Sequence, residues 1–305
     1  MNWRDGAVRT KTLRTIAASE KRLGIAFLIP SSAFLFVFLF IPIGYSIYMS
    51  LFKWKLFDLG RQREFVALEN FLRIFSDKFF INAAGNTLLI VGICLVIEMI
   101  LGFIIALTLW NMQRSLKVVH AIIMLPMITS PVIVALIWRS IYDPQFGILN
   151  YVLKITLGIS NVAWLGDVSL ALPSVMIMDI WQMTSFVILI LYASMTTVPT
   201  DCIESAFVDG ASFLKMVFRI IIPFTLPAIF LVIILRTMDL FRIFDTIYVL
   251  TRGGPSSASE SLSIYIYKTS FQFHEMGYAM ALSLITLMCI LLVSAGYLKA
   301  RNARG

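Results

Sequence analysis

Glu98 and Asp179 each stand in a long apolar stretch, and Arg236, Asp239, Arg242 and Asp245 follow one another at intervals of three in another. Charges in apolar surroundings are costly, so they pair with one another or line a polar path. Residues three apart are neighbours on a helix. The last four can therefore form an ion-pair ladder that packs their helix, or a polar wall along a solute route. Three residues advance 300° around a helix, so four such positions sweep roughly half its circumference and cannot all face one narrow channel. Asp239, in the middle, is expected to be a structural partner of Arg236 or Arg242. Asp179, Trp181 and Gln182 combine hydrogen-bonding groups with an aromatic face near the midpoint of their stretch, as polyhydroxylated solutes require. Ordinary helix packing also accounts for Trp181 and Gln182. Asn82 and Asn86, at the start of a further stretch, can serve to satisfy a helix end.

Other chemistry is sparse. Cys94, Cys202 and Cys289 have no motif spacing, and His120 and His274 are the only histidines, so no metal site is expected. No glycine is followed by lysine, which removes the phosphate-binding Gly-Lys-Ser/Thr loop. No Ser/His/Asp or Cys/His arrangement suggests catalysis, so the chain is expected not to be an enzyme.

The elements that hold these residues are membrane spans. Of the 305 residues 59% are hydrophobic and 14% charged, well below the roughly 25% charged of a soluble domain. Mean hydropathy is +0.89. Six apolar runs, at about residues 23–51, 82–110, 119–142, 170–195, 223–250 and 278–298, can each cross a core of about 30 Å. They lack the alternation of a membrane barrel. The first run is too long for a cleaved signal. The net charge of +8 sits mostly in short segments between runs, which fixes orientation in a bilayer rather than indicating nucleic acid. Basic residues in 1–22 (Arg4, Arg9, Lys11, Arg14, Lys21, Arg22), with Arg114, Lys117, Lys299, Arg301 and Arg304, place both termini in the cytoplasm. The first outside loop is also basic, but carries Asp58, Glu64, Glu69 and Asp77 as well. Loops 52–81, 143–169 and 251–277 then lie outside, and 111–118 and 197–222 inside. The organisation expected is a cytoplasmic tail (1–22), an all-α six-span domain (23–298) and a second cytoplasmic tail (299–305).

The longest inside loop, about 197–223, has a readable local chemistry. Pro199 ends the preceding helix, and Asp201 with Glu204 three residues on can form a capping box. Gly210 is placed to end that short helix in a left-handed conformation. Ser212 can cap the next helix, and Pro223 marks its junction with the fifth span. A connector resting on the membrane, with Phe207, Phe213 and Phe218 in lipid, has the same composition.

Residue order adds a resemblance. Glu204-Ser205-Ala206, Gly210, Ile220, Ile222 and Pro223 fall at the spacing of the EAA signature of ABC importer permeases, Glu-Ala-Ala, three residues, Gly, nine residues, Ile-x-Leu-Pro. Ser205 replaces the first Ala and Ile222 replaces Leu. Asp209-Gly210-Ala211-Ser212 resembles the form common in the sugar branch. Leu125-Pro126 with Ile137-Trp138, Ile180-Trp181-Gln182, Leu250 through Pro255 (LTRGGP), Tyr265-Ile266-Tyr267 and Tyr278-Ala279-Met280-Ala281 are similar, in the right order, to maltose-type permeases.

The resemblance implies a type I ABC importer permease fold in a bacterial inner membrane. Glu204, Ser205, Ala206, Asp209, Gly210 and Ala211 would lie on a coupling helix seated in a cytoplasmic ATPase dimer that carries ATP and Mg, with no cofactor on this chain. The implied partners are a second permease subunit forming a heterodimer, an extracytoplasmic solute-binding protein and a sugar-like solute. Glu204 could contact the ATPase or cap its own helix. Rival readings are a permease of the same kind for a polyamine, phosphate ester or amino acid, and an ion-coupled secondary transporter. The latter would leave the EAA loop unexplained and would need ion sites or repeated halves that are not evident.

Overall fold

A computed structural model describes residues 27–55, 63–112 and 117–302. The basic segment 1–22, Asp58, Arg61, Arg114 and Arg304 lie outside the described residues. Apolar side chains surround each long helix on every side, because lipid and neighbouring helices are both apolar surroundings. Helix α1 (Phe27–Ser50) has none of its apolar window buried within the chain. A ribbon of β1 (Phe52–Lys53) and antiparallel β2 (Glu64–Phe65) follows, a small departure from the all-helical expectation. Helices α2 (Glu69–Ser76) and α3 (Lys78–Asn111) come next. Asp77 caps α3 by accepting from the Phe79 and Phe80 amides at 2.9 and 3.4 Å, so the span starts a turn before the expected residue 82.

The third expected span, 119–142, is broken. Helices α4 (Lys117–Ile128) and α5 (Pro131–Ile141) meet at 95°. Pro131 forces Ser130 into an extended backbone, with ψ 135°, and supplies no amide of its own. Short α6 (Ile148–Leu157) leads to α7 (Ala171–Met195), the most enclosed span, with 61% of its apolar window buried. Among the described residues five helices are long and apolar enough to cross a membrane, and the bent pair brings the total to six if counted as one span.

Helix α8 (Thr200–Val208) is the short element between α7 and α9 (Phe213–Phe241). Instead of beginning at Pro223, α9 runs unbroken through it. A wider π turn at Val217–Ile221 precedes the proline, which cannot donate the usual backbone bond. Helix α9 also ends earlier than expected, at Phe241. Short α10 (Asp245–Leu250) and α11 (Leu262–Tyr267) precede the last span, α12 (Met276–Asn302).

Helices α3, α7 and α9 form the centre. One apolar cluster joins Ile90, Cys94, Val175, Met178 and Leu240. A second, nearer α8, joins Ala106, Val187, Leu191, Met195, Ile221 and Val232. Helices α3 and α7 touch at Gly102, where an added Cβ would lie 2.5 Å from Val187 Cγ1. Small residues permit such close approach between helices in lipid. At the end opposite α8, Asn82 and Asn86 on α3 donate to the Ser257 carbonyl at 2.9 and 3.3 Å. Asn86 also reaches the Glu260 carbonyl at 3.0 Å, and the Leu262 amide donates to Thr87 Oγ1 at 3.0 Å. The asparagines thus anchor the loop before α11 rather than merely finish their own helix.

Candidate functional site: a helix-ending loop and a charged cleft

Two features gather the chemistry. The first is α8 and its exit. The Ala211 amide donates to the Ala206 carbonyl at 2.9 Å and the Gly210 amide to the Phe207 carbonyl at 3.0 Å. Together with φ +71° at Gly210, this is the paired-bond ending in which the left-handed residue belongs to glycine. Ser212 Oγ accepts from the Lys215 amide at 3.4 Å and starts α9, as the sequence leads one to expect. The capping box does not form. The helix begins at Thr200 after Pro199, with no side-chain cap, so Asp201 and Glu204 sit inside it. Their carboxylates, with Ser205 and Asp209, line a shallow depression of about 420 Å³. No residue of α8 is buried, although Ile203 leans on the second apolar cluster. The outer face of α8 therefore presents acid groups to whatever lies beyond the chain.

The second feature is a cleft of about 360 Å³ at the place where two spans are interrupted. Asp179, Gln182, Arg236, Asp239, Arg242 and Asp245 all line it. Pro131, at the break between α4 and α5, and Ile243 with Phe244, at the break after α9, complete the wall. Irregular backbone at membrane depth is tolerated where it is enclosed by protein or borders a cavity. Gln182 Nε2 stabilises the first break by donating to the Thr129 carbonyl at 3.0 Å.

Behind the cleft, Arg236 donates through Nε and Nη2 to both oxygens of Glu98 at 2.7 Å. Its Nη2 also meets Asp179 Oδ2 at 2.6 Å. The side chains of Arg236, Glu98 and Asp179 are 2%, 0% and 7% exposed. One guanidinium thus serves two carboxylates from α3 and α7. Cys94, Glu98 and Asp179 place ligand-type atoms within 4.8 Å of one another. Arg236 occupies the carboxylate side of that group, where a metal ion would have to sit.

The ladder expected along the fifth span is not built as drawn. Arg236 pairs across to other helices. Asp239 pairs with Arg242 at 3.3 Å, with side chains 51% and 64% exposed. Because α9 stops at Phe241, Arg242 and Asp245 lie beyond it, and Asp245 opens α10. Asp239 does have a structural partner, but in an exposed pair rather than a buried one. Trp181 stands away from the cleft, edge-on to Trp138 with ring centres 5.8 Å apart. It is 200° around the helix from Asp179, which separates the two faces.

A third group was not picked out from the sequence. Asp77 Oδ2 accepts from the hydroxyls of Tyr265 and of Tyr278, the latter at 2.6 Å. Arg73 bonds Glu275 at 2.7 Å over the Tyr278 ring. Burial alone would push the Asp77 carboxyl up, but the two hydroxyls and the Phe79 and Phe80 amides together hold it below its ordinary range. A capping aspartate before an apolar run was the visible signal. Its tyrosine partners lie nearly 200 residues away.

Residues 98–304 match the family described as binding-protein-dependent transport system inner membrane component. The chain is 32% identical over 284 residues to a probable ABC transporter permease protein, YurN, of Bacillus subtilis, covering 92% of this chain and 96% of that one. It is 33% identical over 285 residues to the trehalose/maltose transport system permease protein MalF of Thermococcus litoralis, covering 93% and 95%. Its fold is similar to a chain of a bacterial ABC transporter involved in the import of the acidic polysaccharide alginate, with TM-score 0.79, 24% identity and coverage of 93% and 96%. With the family pattern across two thirds of its length and full-length relatives above 30% identity, the chain belongs to the inner membrane components of binding-protein-dependent ABC transport systems.

Proposed function

We propose that this chain is one of two membrane-spanning subunits of an ATP-driven importer for a sugar or sugar-like solute. The second subunit completes a heterodimeric pore in the bacterial inner membrane, an external binding protein delivers the solute, and a cytoplasmic ATPase dimer carries ATP and Mg. This chain binds no cofactor of its own. Both termini face the cytoplasm. The observation that carries this reading is α8, an exposed helix between two spans with no buried residue and a glycine-built exit. Such a helix has its acid face and Phe207 free for a partner. Glu204 makes no cap of its own helix, which favours the contact with the ATPase. ATP binding would move α8, and α9 would carry the movement to the cleft.

The sugar class rests on the relative from Thermococcus litoralis, named for trehalose and maltose, and on the cleft. Asp179 and Gln182 there offer hydrogen-bonding groups to hydroxyls. The test is reconstitution with a cognate second permease, ATPase and binding protein. ATP-dependent uptake of a neutral disaccharide is expected. The chain purified alone should show no ATP turnover, and turnover persisting without partners would sink the assignment.

A further inference from the structure

The charges around the cleft differ in how they are already used. Three carboxylates and two guanidiniums line it: Asp179, Asp239 and Asp245 against Arg236 and Arg242. Arg236 is committed to two carboxylates, since its Nε and Nη2 serve Glu98 and Asp179. Arg242 turns its Nη2 to Asp239 and its Nε to the Met238 carbonyl at 3.2 Å. Asp245 has no ion pair among the described residues. The Gln182 amide nitrogen already donates to Thr129.

Both cations in this wall are therefore paired, and the charged group left over is a hydrogen-bond acceptor. Asp179 and Gln182, 5% and 1% exposed, belong to the packed helices, whereas Asp239, Arg242 and Asp245 are exposed. An acidic solute brought against this wall would meet three carboxylates and two guanidiniums that are both already paired with acids. Its desolvated carboxylate would stay unpaired. A solute that offers hydroxyl or ammonium donors would find acceptors.

We infer that the solute carries no acid group: it is neutral or amino-bearing, and uronic or phosphorylated sugars are rejected at this cleft. The inference rests on the reading of the cleft as part of the solute path.

Two measurements on the assembled importer test it. In a background with Cys94, Cys202 and Cys289 replaced by alanine, Met183→Cys places a thiol on the cleft wall. The ratio of its modification rate by a trimethylammonium-bearing methanethiosulfonate to that by the sulfonate-bearing reagent should exceed the same ratio for a free thiol in solution by roughly tenfold, as expected for about one excess negative charge a few ångströms away. Asp245→Asn should bring the ratio towards the free-thiol value. A ratio at or below the free-thiol value in the starting protein would overturn the proposal. The second measurement needs no variant: the solute carried by the cognate binding protein is released and identified by mass spectrometry. A sugar without carboxylate, sulfate or phosphate is expected, and an acidic sugar overturns the inference. A neutral solute that is not a sugar would uphold it while overturning the sugar assignment.

Discussion

Arg236 on α9 grips Glu98 on α3 with two bonds of 2.7 Å, across 138 residues of sequence and in a setting where neither side chain meets solvent. The same guanidinium holds Asp179 on α7. Three central helices are thus pinned at one cation. Removing it strands two carboxylates, and breaking a buried pair typically costs about 3–5 kcal/mol. Arg236→Met is expected to lower the yield and thermal midpoint of the solubilised complex more than Glu98→Gln, which keeps a hydrogen-bonding side chain. Equal, mild losses for both would show that the charge is not what pins the helices.

Asp239 has a different status. Its pair with Arg242 is about half exposed, and exposed pairs contribute roughly 0–1 kcal/mol. Asp239→Asn should assemble in normal amounts and act, if at all, on concentration-dependent uptake. A marked fall in assembled complex would return Asp239 to the structural role that the sequence first suggests.

At Gly210 the space is open, with nothing within 4 Å of an added Cβ, but φ is +71°. A left-handed conformation costs a residue with a Cβ roughly 1–2 kcal/mol. Gly210→Leu is expected to fold as a membrane protein yet to lose uptake or ATPase association, because the helix exit must change. Co-purification of the ATPase with the variant, together with uptake assays, checks this. Wild-type behaviour would count heavily against α8 as the coupling element.

The Asp77 tie makes a pH prediction. Its carboxyl is held below the ordinary value of 3.8, so the tie stabilises the fold above that value and is lost as pH falls through the lowered one. Hydrogen exchange of the α11 amides should accelerate in the wild type as pH is taken down to about 3, after correction for intrinsic rates. In Asp77→Asn the corrected exchange should be faster from the start and nearly flat. Parallel curves would remove Asp77 as the origin.

The local parts of this molecule were readable, and the distant ones were not. Gly210 and Ser212 act through backbone groups a few residues away, so composition and spacing sufficed. Pro131 was visible, but the apolar run continues straight through it and conceals the 95° break. No glycine or proline marks the end of α9 at Phe241. The charges at Arg242 and Asp245 were themselves the sign that the span had stopped. That Trp181 leaves the face of Asp179 follows from helix geometry alone. The Arg236 triad could not be read at all. An arginine with acids three and nine residues further on suggests neighbours on its own helix, and only tertiary packing chooses Glu98 and Asp179 instead.

The continuity of α9 has a mechanical consequence. Ser212, beside the exit of α8, and Asp239, on the cleft wall, stand at the two ends of one helix that is not interrupted between them. Twenty-seven residues at 1.5 Å each make an arm of roughly 40 Å. A tilt of about 5° about its foot sweeps the far end through roughly 3 Å, about the length of one hydrogen bond. A small swing at one membrane face is thereby amplified to the scale on which a solute contact is made or broken.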